Sequence, residues 1–283
     1  MRVLRTRPET AAWRATVEKV ALVPTMGALH AGHLSLVERA KREAGATIVS
    51  IFVNPTQFGP NEDFTKYPRH ETADLAMLEK AGVTAAFVPS VDEMYPKGDT
   101  MRVDPGAIAE RLEGAARPGH FVGVATVVAK LFEITRPDVA LFGQKDFQQL
   151  RVLQTMAHDR YPAVRVMGCP IVREADGLAM SSRNAYLDPE QRRAALALSR
   201  GLVAAQAAWA RGTRDPMRLR ARVLEIVEKE PLVAPEYISV ADPLTLVELG
   251  LPANRAVVSL AARVGQTRLI DNALLGMEVG DIA

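Results

Sequence analysis

Cysteine is almost missing from this chain: Cys169 is the one residue of its kind among 283. A single thiol cannot close an internal disulfide, so the sequence points to a reducing, cytoplasmic setting in which Cys169 packs in a core. An excess of charge is missing too. Lys and Arg total 35 against 33 Asp and Glu, a formal net charge of +2, which gives no bulk attraction for nucleic acid and leaves anion recognition to locally placed cations. No uncharged apolar run reaches membrane-spanning length; the Ala-rich stretch from Ala194 to Ala210 is broken by Arg200 and Gln206. The first residues, with Arg2, Arg5 and Arg7 but no apolar segment, do not read as a secretory signal. Two nucleotide signatures are also absent, the Gly-x-Gly-x-x-Gly fingerprint and the Walker lysine pattern. The expectation is a soluble protein with a small ligand, bound neither to nucleic acid nor to a membrane.

What is there is a repeated change of period. Apolar strand-like runs (Val20 to Val23, Thr47 to Val53, Ala85 to Val88, Val139 to Phe142, Val164 to Met167) alternate with helix-like segments (Leu34 to Ala44, Thr72 to Ala81, Thr126 to Thr135, Phe147 to Asp159). Val- and Ile-rich strands separated by amphipathic helices predict an α/β fold, a Rossmann-like doubly wound parallel sheet covered on both faces. Past about Ile171 the texture changes. Asp188-Pro189 and Asp215-Pro216 each read as an N-cap followed by proline at the first helical position. They open helices to about Ala210 and Lys229, and strand-like runs follow at Tyr237 to Val240, Val257 to Ala261 and Arg268 to Asp271. The expected division is residues 1–171 as a nucleotide-binding domain and 172–283 as a smaller α+β domain. Within the first of these, Gly114 to Gly123 reads as an ordered functional loop.

The most informative segment is Pro24-Thr25-Met26-Gly27-Ala28-Leu29-His30-Ala31-Gly32-His33, directly after the first apolar run. A helix beginning near His30 would put His30 and His33 on one face, and the open N–H groups of its first turn would make an anion site. Gly27 and Gly32 would let a polyphosphate come close to the backbone. In parallel sheets ligands sit beyond the carboxyl ends of the strands, and two polar clusters follow strand-like runs there: Asn54-Pro55-Thr56-Gln57-Phe58 and Gly143-Gln144-Lys145-Asp146. Lys145 would be a compact cation for phosphate, or else a surface lysine. Asp146 would cap the helix that starts at Phe147. Ser181, Ser182 and Arg183 combine two hydroxyls with a guanidinium suited to phosphate oxygens; alone they would make a turn.

Six blocks in order carry a resemblance to the pantothenate synthetase family, over nearly the whole chain. They are the segment Pro24 to His33, Phe52-Val53-Asn54-Pro55-Thr56-Gln57-Phe58, Tyr67-Pro68-Arg69, Arg117-Pro118-Gly119-His120-Phe121, Phe142 to Leu150, and Arg173 to Asn184. The resemblance implies a nucleotidylyltransferase-like Rossmann domain, a homodimer, and ATP-dependent joining of pantoate to beta-alanine through a pantoyl adenylate, with pyrophosphate and then AMP released. It implies that His30, His33 and Lys145 serve the phosphates catalytically, with Met26, Gly27, Gly143, Gln144, Asp146, Val172, Met180, Ser181, Ser182 and Arg183 completing the ATP site. It gives Asp146 the ribose hydroxyls and Val172 a backbone contact. Gln57, Gln149 and Asn54 would hold pantoate and beta-alanine, and neutral amides can orient a carboxylate without an ion pair that blunts the attacking oxygen. Mg2+ is implied by the triphosphate, and Asp74 falls where the family has acidic residues that touch the ion. Arg117 and His120 read as braces beside the site.

Two other readings share parts of this pattern. A nucleotidylyltransferase that releases a nucleotide product would keep His30 and His33 but has no need of Gln57, Gln149 and the Ser181 to Arg183 segment. A non-catalytic nucleotide sensor would keep the glycines and Lys145 without needing His33.

Overall fold

The computed structural model describes residues 1–60 and 62–282. In chain order the elements are β1 (Arg2–Leu4), α1 (Arg7–Arg14), β2 (Val20–Thr25), α2 (Ala31–Glu43), β3 (Ala46–Ile51), α3 (Glu71–Lys80), β4 (Ala85–Phe87), α4 (Val91–Met94), α5 (Leu112–Ala116), α6 (His120–Thr135), β5 (Val139–Gly143), α7 (Phe147–Arg160) and β6 (Arg165–Cys169). They continue with α8 (Pro189–Ala210), α9 (Pro216–Val227), β7 (Val233–Ala241), β8 (Ala256–Val264) and β9 (Thr267–Leu275). Two units divide this chain: Met1–Gly143 with Gln148–Cys169, and Gln144–Phe147 with Pro170–Ile282.

In the first unit, apolar runs became strands because both their faces are covered. Val20, Ala21, Leu22 and Val23 are all wholly buried, the continuous pattern of a parallel strand between two helical layers. The strands pair in the order β1-β4-β3-β2-β5-β6, every pair parallel. The chain winds from β2 outward through β3 and β4 on one side, then through β5 and β6 on the other. The order therefore reverses between β2 and β5, which pair directly at Ala21–Val139 and Leu22–Ala140. At such a reversal the loops after two neighbouring strands diverge and leave a crevice, and here those loops begin at Thr25 and Gly143.

The doubly wound sheet matches expectation, with two informative differences. α6 starts at His120, six residues before the helical pattern becomes visible, inside the stretch that reads as a loop. Gly119, at φ +84°, supplies the left-handed turn into it, and Gly123 lies within it because a Cβ there would come 2.3 Å from the Thr56 carbonyl oxygen. This glycine permits close packing and does not break the helix. The other difference is β1, whose three residues pair with β4 at the sheet edge and are too short to show a period.

The second unit has three antiparallel strands in the order β7-β8-β9. One apolar cluster joins Leu198, Leu202 and Ala205 of α8, Leu219 and Val223 of α9, and Val258, Leu260 and Ala262 of β8. The two predicted caps form: Asp188 accepts from the N–H groups of Glu190 and Gln191, and Asp215 from that of Met217. Each such cap stabilises its helix by about 1 kcal/mol. Upstream, Arg173 and Ala179 form an antiparallel bridge that closes a tight loop, and a single turn of 3-10 helix spans Ser182–Tyr186.

Candidate functional site

In the first unit the loop after β2 is held at its base by Thr25, whose hydroxyl donates to the Ser50 carbonyl at 2.6 Å and accepts from Gly27 N–H at 3.2 Å. The backbone then turns through positive φ at Gly27 (+83°) and Ala28 (+50°). Asp74, on α3 and only 2% exposed, fixes that turn. Its two carboxylate oxygens accept from Ala28 N–H at 2.9 Å and from Leu29 N–H at 2.8 Å. Asp74, expected near a metal ion, thus has both oxygens committed to backbone. Among the described residues no three His, Cys, Asp or Glu side chains are grouped as metal ligands would be.

This turn delivers His30 as the N-cap of α2 and His33 as its third residue. The two imidazoles cap the helix reciprocally. His30 Nδ1 accepts from Gly32 N–H at 3.1 Å, and His33 Nδ1 accepts from His30 N–H at 3.3 Å. This is a capping box built from rings in place of the usual hydroxyl and carboxylate. The rings lie 4.1 Å apart, centroid to centroid. A backbone N–H can only donate, so each neutral ring carries its proton on Nε2 and is a donor there. The expected open first turn is corrected accordingly: Gly32 N–H goes to the His30 ring and His33 N–H to the His30 carbonyl at 2.9 Å. The donors that this helix start can offer an anion come mainly from the imidazoles.

Gln57 sits at the end of a short 3-10 turn, Pro55–Gln57, capped by Asn54. Asn54 is 1% exposed and fully engaged. Its Oδ1 accepts from Thr56 N–H, from the Thr56 hydroxyl and from the Tyr95 hydroxyl at 2.8 Å, while its Nδ2 donates to Gln57 Oε1 at 3.0 Å and to the Gly123 carbonyl at 3.2 Å. Asn54, expected to touch substrate, spends both amide hydrogens inside the protein here and orients Gln57. With Gln57 Oε1 taken, its Nε2 faces the Met26 sulfur at 3.3 Å, a weak acceptor that a carboxylate would outcompete. Two predicted site residues are thereby brought together. Gln149 stands half-buried in the first turn of α7.

The Gln57 backbone is braced from α6. Arg117 donates to both oxygens of Glu62 at 2.6 Å and to His120 Nε2 at 3.0 Å. Guanidinium cannot accept, so His120 holds its proton on Nδ1 and donates it to the Gln57 carbonyl at 2.8 Å. Burial, and then the Arg117 charge, push the His120 pKa down to about 4. Burial alone would raise Glu62, but the hydrogen bonds and charge of Arg117 hold it below its usual value.

In the second unit, Gln144–Asp146 form one 3-10 turn. Asn272 of β9, 3% exposed, grips this turn: its Nδ2 donates to the carbonyls of Gln144 and Lys145, each at 2.9 Å, and its Oδ1 accepts from Gln144 Nε2 at 3.1 Å. The Lys145 ammonium lies 4.0 Å from the carboxylate of Asp146. Met180 N–H donates to the Val172 carbonyl at 3.0 Å, so that carbonyl helps to close the 173–179 loop. Ser181 caps the following turn, its hydroxyl oxygen accepting from Arg183 N–H at 3.2 Å, and Ser182 and Arg183 are both half-buried. Sequence reasoning missed Tyr95, Asn272 and the role of Asp74. Nothing local marks them, since their partners lie tens to more than a hundred residues away.

Comparison with known proteins bears on this arrangement. A family model described as Pantoate-beta-alanine ligase matches residues 2–274. The curated pantothenate synthetase of Acidobacterium capsulatum is 57% identical over 91% of this chain and 86% of its own length. That of a Roseiflexus species is 55% identical over 97% of this chain and 99% of its own. Among solved structures, pantothenate synthetase from Thermus thermophilus superposes with a TM-score of 0.91 at 45% identity, covering 96% of this chain and 99% of the other. Pantoate-beta-alanine ligase from Francisella tularensis, complexed with beta-gamma ATP and beta-alanine, gives 0.79 at 34% identity, covering 98% and 99%.

Proposed function

The chain belongs to the pantoate-beta-alanine ligase family and is a carbon–nitrogen ligase of that kind, and we propose that it works by in-line activation of pantoate on ATP. The pantoate carboxylate attacks the α-phosphorus, the bond to the bridging oxygen breaks, and pyrophosphate leaves. The amine of beta-alanine then attacks the acyl carbon of the pantoyl adenylate, loses a proton and expels AMP. Both steps move negative charge among phosphate oxygens, so the protein's task is positioning and charge stabilisation.

The reciprocal imidazole cap carries this reading. By occupying both Nδ1 atoms with backbone N–H groups, the helix start makes His30 and His33 neutral Nε2–H donors whose orientation is set before any nucleotide arrives. Such preorganised donors stabilise developing phosphate charge without reorganising at the moment of reaction. Lys145 adds the compact cation that follows this charge. Ser181, Ser182 and Arg183 hold phosphate oxygens, Met26, Gly27, Gly143 and Gln144 line the nucleotide path, and Asp146, Val172 and Met180 take ribose and base. Gln57, with its carbonyl oxygen committed to Asn54, presents an N–H to the pantoate carboxylate, and Gln149 completes that grip.

Mg2+ enters with ATP. The chain's own residues fit a metal carried on phosphate oxygens, because the candidate carboxylate, Asp74, already spends one lone pair of each oxygen on a backbone N–H and no cluster of further ligands stands among the described residues. When bound, the ion would neutralise phosphate charge. We place the reaction in the cytoplasm, supported by the single cysteine, and in a homodimer, supported by the family resemblance; sedimentation of the purified chain checks the latter. The deciding assay is pyrophosphate release that requires ATP, Mg2+ and pantoate, followed by AMP release only on adding beta-alanine. Pyrophosphate release without pantoate would refute the substrate assignment.

A further inference from the structure

Lys145 and the Ser181–Arg183 segment are distant in sequence, yet within the second unit they hang from the same two residues of β9. Asp271, 3% exposed, accepts Arg173 Nη1 at 2.7 Å and Nη2 at 3.0 Å, a planar two-bond pair. Its Oδ1 also accepts from Asn272 N–H at 2.8 Å. Arg173 in turn donates to the Gly177 carbonyl at 3.2 Å and bridges to Ala179, which fixes the loop from which Met180 to Arg183 emerge. The next residue, Asn272, holds the carbonyls of Gln144 and Lys145 together with the Gln144 side chain. One buried dipeptide therefore sets two backbones at once.

We propose that Asp271 and Asn272 are positioning residues that lock Lys145 and the Ser181–Arg183 segment into one rigid frame for the triphosphate. This rests on the phosphate role given to Lys145 above. The chemistry of Asn272 makes the claim specific. Its amide donates twice to carbonyls and accepts once from an amide, a pattern that the isosteric Asp cannot reproduce. A carboxylate would keep the acceptor, lose both donors and repel two carbonyl oxygens. The turn would be released with almost no change in side-chain volume, and displacement of a catalytic group by about 1 Å can cost about 10²-fold in rate.

The test measures single-turnover pyrophosphate release by the full chain with ATP, Mg2+ and pantoate for Asn272→Asp, Lys145→Ala and the double variant, with far-UV circular dichroism melts alongside. Asn272→Asp is expected to slow release by about 10²-fold and to raise the KM for ATP while the KM for pantoate stays within about twofold. In the Lys145→Ala background the same change should add less than about threefold, because both act through one cation. Multiplicative effects, or undiminished release by folded Asn272→Asp, would overturn the proposal. If Asn272→Asp melts below the assay temperature, Asn272→Ser, which keeps one donor, is judged by the same criteria. Undiminished release by Lys145→Ala would instead refute the role of Lys145 itself, so the two failures are distinguishable.

Discussion

The loops after β2 and β5 leave neighbouring parallel strands, yet they are secured in opposite ways. After β2 the backbone turns its N–H groups inward at Ala28 and Leu29, and the pin is a carboxylate, Asp74, that can only accept. After β5 it turns carbonyls toward the pin at Gln144 and Lys145, and the pin is an amide, Asn272, that can donate. Each buried pin has the polarity that its loop lacks, as the cost of an unsatisfied buried polar group demands. The pins also differ in what carries them. Asp74 belongs to the same unit as the imidazoles that it positions, whereas Gln144–Phe147 are grouped with the second unit although the chain on both sides of them lies in the first. The imidazoles of His30 and His33 thus belong to the first unit, and the Lys145 ammonium and Arg183 guanidinium to the second.

The sharpest way to break this comparison is to reverse the polarity of the first pin. Asp74→Asn leaves one oxygen for two N–H groups and turns an NH2 toward one of them. Two hydrogen bonds to a charged acceptor are lost or weakened, about 3 kcal/mol or more of stability in urea denaturation. Release of the turn before His30 should also slow pantoate-dependent pyrophosphate formation by about 10²-fold. The Mg2+ concentration giving half-maximal rate should not move. A rate that recovers at high Mg2+ would show Asp74 to be a metal ligand and leave the loop without the pin argued here.

A smaller effect tests the brace that reaches the first loop through Gln57 and Met26. The His120 pKa lies at about 4 in the folded chain, against about 6.5 for an exposed imidazole. Because the folded value is depressed, this contribution is fully present above pH 6.5 and is lost as the pH falls toward 4, where the unfolded chain takes up a proton that the folded one refuses. The ceiling is about 3 kcal/mol. Glu62, also held low by Arg117, works in the same direction at lower pH still. Denaturation midpoints between pH 7 and pH 4 should therefore fall steeply in the parent and less steeply in His120→Gln, which keeps an amide donor for the Gln57 carbonyl. Equal slopes would remove His120 from the brace.

The contrast between the loops also shows what a sequence can carry. Buried strands, the Asp-Pro helix starts and the His30/His33 spacing are legible because each depends on neighbours within a few residues. The start of α6 is not, since Gly119 and Gly123 look like loop residues until the Thr56 carbonyl is seen against Gly123. Candidate site side chains can be named from the sequence, but not the residues that hold their loops: Asp74 acts 45 positions from Leu29 and Asn272 acts 127 from Lys145. For the same reason a single cut near residue 171 cannot express the grouping of Gln144–Phe147 with Pro170–Ile282, which follows from contacts with β9. Asn54 shows a subtler limit. Its residue type suits a substrate contact, and only the geometry reveals that its hydrogens are already used.

The smallest predicted effect separates the two loops by their glycines. Gly27 has φ +83°, and a Cβ there would lie 3.0 Å from Asp74 Oδ2 and 3.1 Å from the Ile51 side chain. Gly27→Ala therefore pays for left-handed backbone, about 1–2 kcal/mol, and also presses on the carboxylate that holds the turn. Gly143, at the end of β5, has no positive φ, and a Cβ there would meet nothing within 4 Å. Gly143→Ala should be neutral or stabilising by up to about 1 kcal/mol, because it restricts only the unfolded chain. Thermal melts of the two variants read the difference directly. If they shift equally, the tight backbone approach assigned to the first loop alone is wrong; if only Gly27→Ala destabilises, strain is confined to the loop pinned by Asp74, while the loop held by Asn272 turns without it.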